Sequence, residues 1–516
     1  MTVGQSACEL SWSRCNTVSA GKAAGEPDLF NIERHPAGTL IDQVCDGILG
    51  LIGAGLTEGQ RLPSVRKLAA SVNVSLSTVS LAYERLVSQR LVVARPGAGF
   101  FVAYAVRPFP AASSRIRPRI QPTDAVGFVR NAIDLGTHAV PASSGFFPKS
   151  WMDSALPASV VGRILKGGVS FAVPAPAQGL VELREQLSIR LRSVGIAASP
   201  GQIVTCFGVT HAVQLICRYL VQPGDGVVIE DPSYMVQQAQ LCDAGAKLLL
   251  VPRRSDGPDL AILEQIVRDH RPRLMFTQTV LHNPTGSTAT AANCHGLLLL
   301  AEKYDFHIVE DDVFGDVSAV PVLRLAALDN FRRVLYVGSF TKVLSPALRV
   351  GFVVAPAEHV DALIDLKILN VLTGSSLQEL LVAMVLKSGR YQAHVDSLRR
   401  RLAKSRSVGR KALSEVGVRF DNAEMDGLFL WGALPDSVNV DSLLDAAFSE
   451  GILLTKGTLF SPSAGFGQYI RFNVAHAADP QLLAFLRHHL QPPAGSLAPT
   501  CGEPSLDGFA TQGVDY

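Results

Sequence analysis

The sequence predicts two folded units, a small helical unit near the N-terminus and a large α/β unit behind it. Residues 37–104 carry apolar residues at helical spacing and then two short apolar runs, whereas short apolar runs alternate with helical patterns over 131–490. Four of the later runs, VVIE, LMFTQT, FHIVE and VLYVGS, are continuous in the way typical of strands buried in a parallel sheet. We therefore expect the α/β fold class with a mainly parallel sheet.

Three further segments have the composition of connections. Residues 1–36 are polar and aperiodic and predict a flexible N-terminal arm, and residues 491–516 are rich in Pro, Gly, Ser and Ala and predict a disordered tail. The stretch 105–130 is rich in proline and arginine, which predicts a semi-rigid extended linker between the two domains.

The bulk composition excludes several classes of protein. Of the 516 residues, 47% are hydrophobic and 18% are charged, which allows a large core and excludes a wholly disordered chain. No apolar run reaches the roughly 18 residues of a membrane span, and the start lacks a signal-peptide pattern, so we expect a cytoplasmic protein. The eight cysteines form no CxxC pair, which predicts reduced thiols and no metal site.

Positive charge is concentrated in one part of the chain. Residues 61–119 hold ten basic residues and one acidic residue, whereas the whole chain has a formal net charge of +2. A basic block on a near-neutral protein indicates a polyanion as partner. A solvated linker is the alternative explanation, because several of these arginines lie in the Pro-rich stretch.

Residues 59–102 have the pattern of a helix, a tight turn, a second helix and a hairpin. Ser75 is a plausible N-cap of the second helix, along which four apolar residues at i, i+3, i+4 and i+7 form one stripe. Ser77, Thr78 and Ser80 lie on the other side, where short hydroxyl groups can reach phosphates and base edges. The turn RPGAG between the last two apolar runs predicts a wing.

The runs LPSVRKLA, VSLSTV and AYERL stand in the order found in GntR-type regulators, and the segment resembles their winged helix-turn-helix domain. The resemblance implies double-stranded operator DNA as a partner. The implied DNA contacts are Arg66, Ser75, Ser77, Thr78, Ser80 and Gly97. Leu76 departs from the family, which usually has arginine there, so a strong phosphate or guanine contact is lost. A winged helix that mediates only protein contacts is the alternative.

A second motif, the run SFTKVLSPALRVG at 339–351, places Lys342 among hydroxyl residues and before an arginine. A lysine that forms a Schiff base with a cofactor aldehyde needs a phosphate anchor nearby. Ser339, Thr341 and Arg349 can supply that anchor.

Other candidate residues follow predicted strands, where ligands bind in open α/β sheets. HNPTG holds Asn283, VEDDVFGD holds Asp311 and its rival Asp312, and EDPSYM holds Tyr234. In CFGVTHAV, the amides of Val209 and Thr210 would lie at a helix N-terminus, which favours phosphate binding. Taken singly, these motifs could also be a loop, a core tyrosine and an ordinary strand-to-helix turn.

Arg471 lies in the apolar, strand-like run QYIRFNVAH. A guanidinium in a pocket can bind a carboxylate at two points. A lone arginine is more often a surface residue, but its apolar neighbours favour a specific role.

Together these motifs resemble fold-type I pyridoxal 5'-phosphate (PLP) enzymes, the aspartate aminotransferase superfamily. The resemblance implies a sheet domain with a smaller C-terminal α/β subdomain, and a homodimer. By the same resemblance, Lys342 binds PLP, Asp311 faces the pyridine nitrogen, Asn283 the phenolic oxygen, Tyr234 the ring and Arg471 the effector carboxylate. Phe314 stands where the family has tyrosine, so one hydrogen-bond donor to the cofactor is lost.

The two domains in this order resemble the MocR-type subfamily of GntR regulators over roughly residues 37–490. The resemblance implies a PLP-binding transcriptional regulator whose aminotransferase-like domain senses PLP, an amino acid or an amine. A working aminotransferase with an accessory N-terminal domain is the main alternative, and a regulator that has lost PLP is another. We expect no physiological turnover, although partial transaminase chemistry is compatible with the motifs.

Overall fold

The computed structural model describes residues 30, 39–53, 55–103, 124–134, 140–153, 155–166, 173–421 and 426–490. The predicted tail, most of the arm and most of the linker lie outside these residues, so their predicted character stays a prediction. The chain divides into two compact units, Met1–Arg117 and Pro118–Tyr516. Within the described residues, no helix has the length and apolar character needed to cross a membrane.

The N-terminal unit contains three helices and a hairpin. They are α1 Leu40–Gly53, α2 Val65–Ser71, α3 Leu76–Ser88, β1 Val92–Arg95 and β2 Gly99–Val102. Ser75 caps α3, as predicted, because its side chain accepts a hydrogen bond from the backbone amide of Thr78. The predicted apolar stripe of α3 is buried and consists of Val79, Ala82, Tyr83 and Leu86. This stripe packs the helix against the small core and leaves its other side exposed.

The large unit is built around an eight-stranded sheet. Its strands are β3 Ile203–Cys206, β4 Gly226–Asp231, β5 Lys247–Arg254, β6 Gly257–Pro258, β7 Leu274–Thr277, β8 His307–Asp311, β9 Val334–Ser339 and β10 Gly351–Val354. Their order across the sheet is β3-β10-β9-β8-β7-β4-β5-β6. The run from β9 to β5 is parallel, whereas β10 is antiparallel to both of its neighbours. The sheet is therefore mixed, with a parallel centre that contains all four predicted strands.

Helices cover both faces of this sheet. Those of the large unit are α4 Asp124–Asp134, α5 Lys149–Met152, α6 Ala158–Lys166, α7 Val181–Ser193, α8 Gly208–Leu220, α9 Met235–Asp243, α10 Leu260–His270, α11 Ala291–Tyr304, α12 Leu325–Asp329, α13 Ala357–Val371, α14 Ser376–Lys387, α15 Arg390–Glu415, α16 Val440–Ser449 and α17 Pro480–Leu490. Val227 and Val228 are neighbours on β4 but belong to different apolar clusters. Alternate strand residues thus face two separate cores, as a sheet covered on both sides requires.

A smaller C-terminal α/β part follows α15, as the family resemblance implied. Its two strands, β11 Phe429–Ala433 and β12 Tyr469–Asn473, pair antiparallel and place Trp431 opposite Arg471. Both strands are almost completely buried. This burial holds Arg471 in the interior of the large unit.

Candidate functional site

Lys342 lies in the loop between β9 and β10, at the carboxyl end of the parallel strands. Its amine lies 3.8 Å from the centre of the Phe146 ring. Burial lowers the pKa of Lys342 to about 7, and the positive charges of Arg471 and Arg349 act in the same direction. Near neutral pH a large fraction of this amine is therefore uncharged, which is the nucleophilic form.

A candidate cradle for an anion lies at the N-terminus of α8, where Arg349 and Thr341 come close to Gly208. Gly208 begins this helix with φ of +75°, and a Cβ built on it would lie 3.0 Å from Arg349 Nη2 and 3.3 Å from Thr341 Oγ1. Only glycine lets these groups come so close to the helix end. The amides of Val209 and Thr210 lie in the first turn, where helix N-termini attract anions.

Two hydroxyl groups near this cradle are in different states. Thr341 Oγ1 is buried and has no hydrogen-bond partner within the described part of the chain. Ser339 Oγ accepts a hydrogen bond from the amide of Thr341 at 3.0 Å and donates one to the carbonyl of Val350 at 3.3 Å. The Thr341 hydroxyl group thus has an unused hydrogen-bonding capacity, whereas the Ser339 hydroxyl group is used within the loop.

The two neighbouring carboxylates after β8 also differ. Asp312 forms an ion pair with Arg324 and accepts a hydrogen bond from Tyr336 at 2.7 Å. Asp311 has no salt bridge within the described residues, and its Oδ1 is buried without a partner among them. Burial and the charge of Asp312 raise the pKa of Asp311 to about 7. Its environment thus favours a proton at this position.

Gln278, which the sequence analysis did not select, joins two of the candidate residues. Its Nε2 donates to Asp311 Oδ2 at 3.3 Å, and its Oε1 accepts a hydrogen bond from the backbone amide of Asn283 at 2.8 Å. Its place directly after β7 was the available signal, because polar residues at the carboxyl ends of parallel strands gather at binding sites.

Arg471 is buried between two aromatic rings, with its guanidinium carbon 4.4 Å from the centre of the Phe429 ring and 4.7 Å from that of Phe460. Its Nη1 donates to Asn283 Oδ1 at 2.9 Å and its Nη2 to the carbonyl of Ser143 at 2.6 Å, while Nε has no partner in the described structure. Burial lowers the pKa of Arg471 to about 10, so the group stays charged at neutral pH. Within the described residues no carboxylate balances this charge.

The two aromatic candidates line the same region. Tyr234 is half-buried and lies directly before α9. Burial raises the pKa of its hydroxyl group, the positive charge of Arg471 lowers this pKa, and the negative charge of Asp311 raises it. Phe314 is buried, and its ring meets Phe429 edge to face at 5.5 Å between centroids. Phe314 therefore contributes packing and no hydrogen bond.

The candidate DNA contacts lie in the N-terminal unit. The hydroxyl group of Ser75 is hydrogen-bonded to two other hydroxyl groups, that of Ser77 at 2.8 Å and that of Thr78 at 2.7 Å. Arg66 is exposed on α2. Gly97 has φ of +72° in the turn between β1 and β2, with open space around it.

Two family models match the chain. One, described as bacterial regulatory proteins of the gntR family, matches residues 40–102, and one for aminotransferase class I and II matches residues 131–488. The chain is 30% identical over 432 residues to the uncharacterized HTH-type transcriptional regulator YdfD of Bacillus subtilis, covering 81% of this chain and 89% of the relative. It is 29% identical over 369 residues to the probable rhizopine catabolism regulatory protein MocR of Rhizobium meliloti, covering 69% of this chain and 73% of the relative.

Solved structures also resemble the large unit. An archaeal alanine:glyoxylate aminotransferase matches with a TM-score of 0.67 and 24% identity over 72% of this chain and 96% of its own. LysN, the α-aminoadipate aminotransferase of Thermus thermophilus, solved with N-(5'-phosphopyridoxyl)-L-leucine, matches with a TM-score of 0.64 and 26% identity over 71% of this chain and 97% of its own.

Proposed function

Since this chain belongs to the MocR-type GntR regulators, which join a winged helix-turn-helix to an aminotransferase class I and II domain, we propose that it regulates transcription in response to an amino acid or amine. The gntR-type domain implies DNA binding, and the aminotransferase domain implies PLP as the cofactor, as predicted. We expect the protein to act in the cytoplasm, where its DNA and its effector would both be present.

The residues of the large unit fit PLP in three places. Bound PLP supplies an aldehyde that reacts with amines and a pyridine ring that withdraws electrons. In our proposal Lys342 provides the amine for the aldehyde, and Asp311 holds a proton at the ring nitrogen. The phosphate group would lie at the N-terminus of α8. The close approach of Arg349 and Thr341 to Gly208 supports this placement, because it gathers anion-binding groups around a backbone that has no side chain.

The family resemblance implies the remaining cofactor contacts of this proposal. Asn283 would face the phenolic oxygen, Tyr234 would stack on the ring, and Ser339 would support the phosphate site together with the amides of Val209 and Thr210. The hydrogen bonds of Gln278 support it, because they hold Asp311 and the Asn283 backbone in one arrangement.

The observation that carries the effector part of the proposal is the buried, unbalanced charge of Arg471. A buried cation without an anionic partner is strongly destabilising, and such a site is favoured only when a ligand supplies the anion. A carboxylate suits the planar guanidinium and its unpartnered Nε. The hydrogen bond between Arg471 and Asn283 supports a position for that carboxylate beside the proposed cofactor site, which favours an amino acid over a simple amine as the effector.

Binding of an amino acid would change the contacts of Lys342. The ligand's amino group would compete for the position that the lysine amine holds, and the freed amine would need a new partner. Only such a difference between two states can shift a conformational equilibrium. We propose that this shift reaches the DNA-binding unit and alters operator affinity.

A homodimer would suit this function. Leu369 and Leu372 at the end of α13 are 75% and 62% exposed, and Val173, 67% exposed, lines the same shallow groove as Thr373. Such an apolar patch is typical of a surface that another protein covers. A dimer would present two winged helices to paired half-sites.

A second candidate function is transamination, and the joint presence of Lys342, Asp311 and Arg471 in the large unit favours it. Phe314 disfavours it, because the phenylalanine cannot donate a hydrogen bond to the cofactor. Turnover of an amino acid with a keto acid, measured on the purified protein with PLP, separates this candidate from a regulator.

The test of the proposed regulator is a gel shift on the protein's own upstream DNA, without PLP, with PLP, and with PLP plus a panel of amino acids and matching decarboxylated amines. We expect a specific shift that PLP changes and that one or a few amino acids change further, whereas the amines do so at much higher concentration. A shift that neither PLP nor any amino acid alters would overturn the sensing proposal. Unrelated DNA of equal length is the control at matched salt.

A further inference from the structure

The exposed side of α3 has an unusual composition for a helix that contacts DNA. Leu76 begins the helix and is 53% exposed, and Leu81 is 49% exposed. At about 100° per residue, Leu76, Ser77, Ser80 and Leu81 span roughly 140° of the helix surface. This surface is opposite the buried stripe and contains only apolar and hydroxyl side chains, apart from Glu84.

Basic residues are absent from this part of α3, a helix that the structure describes over its whole length. The first one along the helix is Arg85, and its guanidinium forms a salt bridge with Asp42 at 2.6 Å. Arginine and lysine are the usual readers of guanine in the major groove. The exposed side of α3 therefore lacks the two side chains that usually read guanine.

The hydroxyl groups around Leu76 already have partners. Ser75 caps the helix and shares hydrogen bonds with the hydroxyl groups of Ser77 and Thr78, and Ser80 lies 3.5 Å from a carboxylate oxygen of Glu84. These contacts fix the first turn, so Leu76 is presented by a rigid support. An apolar side chain held this way can gain free energy only by covering another apolar group.

The major groove offers one apolar group, the C5-methyl of thymine. In helix-turn-helix proteins the first residues of the second helix meet base edges in that groove. We propose that Leu76 reads the C5-methyl group of one thymine in each operator half-site and is a specificity-determining residue. This inference rests on the DNA-binding function proposed above and adds which base the first turn of α3 selects.

The basic residues of the segment have a different role in this scheme. Exposed basic residues of the N-terminal unit, such as Arg66, would contact phosphates, which gives affinity without sequence information. Sequence selection then depends on the short and apolar side chains of α3. Leu76 is the first of them and the one nearest to the helix end.

The test uses a duplex that the full-length protein with PLP enriches from a random-sequence DNA pool. Each thymine of the enriched site is replaced in turn by deoxyuridine, which removes only the methyl group. At one thymine per half-site, we expect the replacement to lower the affinity of the wild-type protein roughly three- to fivefold. This factor corresponds to the free energy of burying one methyl group. Leu76→Ala should bind the thymine duplex that much more weakly and be indifferent to the same replacement.

Three results would decide against the inference. In the first, wild type and Leu76→Ala respond equally to every deoxyuridine replacement. In the second, no replacement changes the affinity of the wild type. In the third, Leu81→Ala loses the response to the replacement and Leu76→Ala keeps it. Failure to enrich any sequence would contradict the DNA-binding proposal itself. Leu76→Arg gives an independent readout, since selection with this variant should replace the thymine by guanine, and an unchanged thymine at that position would count against Leu76.

Discussion

Arg471 and Asn283 are hydrogen-bonded to each other, Nη1 to Oδ1 at 2.9 Å, although they lie 188 positions apart in the sequence. The contact links the small C-terminal sheet to the loop after β7. It also holds the guanidinium in one orientation, with Nε unpartnered among the described residues. A carboxylate ligand would therefore meet a cation that needs little reorganisation.

Replacing this cation tests its role in effector binding. We expect Arg471→Met to raise the amino acid concentration that alters DNA binding by about 10- to 100-fold, because a charged hydrogen bond contributes about 1.5–3 kcal/mol. PLP binding should persist. The measurement is the gel shift titrated with amino acid, and Arg192→Met, at an exposed position on α7, is the control. An unchanged titration in Arg471→Met would exclude Arg471 from the effector site.

Gly208 allows a test of the candidate anion cradle, where we propose that the phosphate group of PLP binds, with a matched control. Gly208→Ala places a Cβ 3.0 Å from Arg349 Nη2, whereas Gly389→Ala, at the similar φ of +70°, meets nothing within 4 Å. Both variants should lose about 1 kcal/mol of stability through backbone strain. Only Gly208→Ala should also weaken PLP binding, measured by fluorescence titration. Equal PLP affinity in the two variants would show that the phosphate group does not bind beside Gly208.

Lys342 can be tested by absorption spectroscopy. Lys342→Ala should abolish the visible absorption band that PLP acquires on binding to the wild-type protein, because no other amine would occupy that position. The fold should remain, since the change removes a buried amine whose charged form is disfavoured there. Lys404→Ala, on the exposed side of α15, should retain the band. A wild-type spectrum in Lys342→Ala would contradict the assignment.

The pKa of Asp311 predicts a pH dependence of stability in the PLP-free protein. Its pKa rises from the ordinary value of 3.8 to about 7 on folding, so between these values the folded state binds more protons than the unfolded state. The contribution of Asp311 to stability therefore falls as pH increases from about 4 to 7.

Asp311→Asn removes this titration. Relative to the wild type, the variant should gain several kcal/mol in free energy of unfolding at pH 8 and little at pH 4. Urea unfolding at both pH values measures the difference. If the gap between variant and wild type is independent of pH, Asp311 does not titrate in this range.

Arg66 tests the phosphate contacts of the N-terminal unit. Arg66→Ala should weaken binding to every DNA sequence by a similar factor and reduce the slope of log affinity against log salt by about 0.9, the value for one phosphate contact. PLP binding should not change. The exposed Arg192→Ala serves as the control. An unchanged salt slope would remove Arg66 from the DNA surface.

Local patterns were sufficient to predict much of the fold. The stripe on α3 and the four central strands follow from residue spacing, because each element buries its own apolar face. The direction of β10 could not be predicted this way. An apolar run shows that a strand is buried, but its direction depends on the length and path of the loop before it.

The candidate site could be predicted only in part from the sequence, for a similar reason. Motifs indicated Lys342 and Arg471, whereas the rings of Phe429 and Phe460 that enclose Arg471 lie in segments without a motif. Such contacts arise from packing between distant segments, which residue spacing does not specify.

The anchoring of the loop between β9 and β10 has a consequence for the choice of ligand. Ser339 pairs with Gly351 across these strands, and the amide of Phe340 donates to the carbonyl of Val350, so the loop that carries Lys342 is anchored to the large sheet. Arg471 belongs to the other sheet. In the proposed site an amino acid would be bound at both ends, by one residue from each sheet, so the fixed distance between these residues would select for the distance between its amino and carboxylate groups.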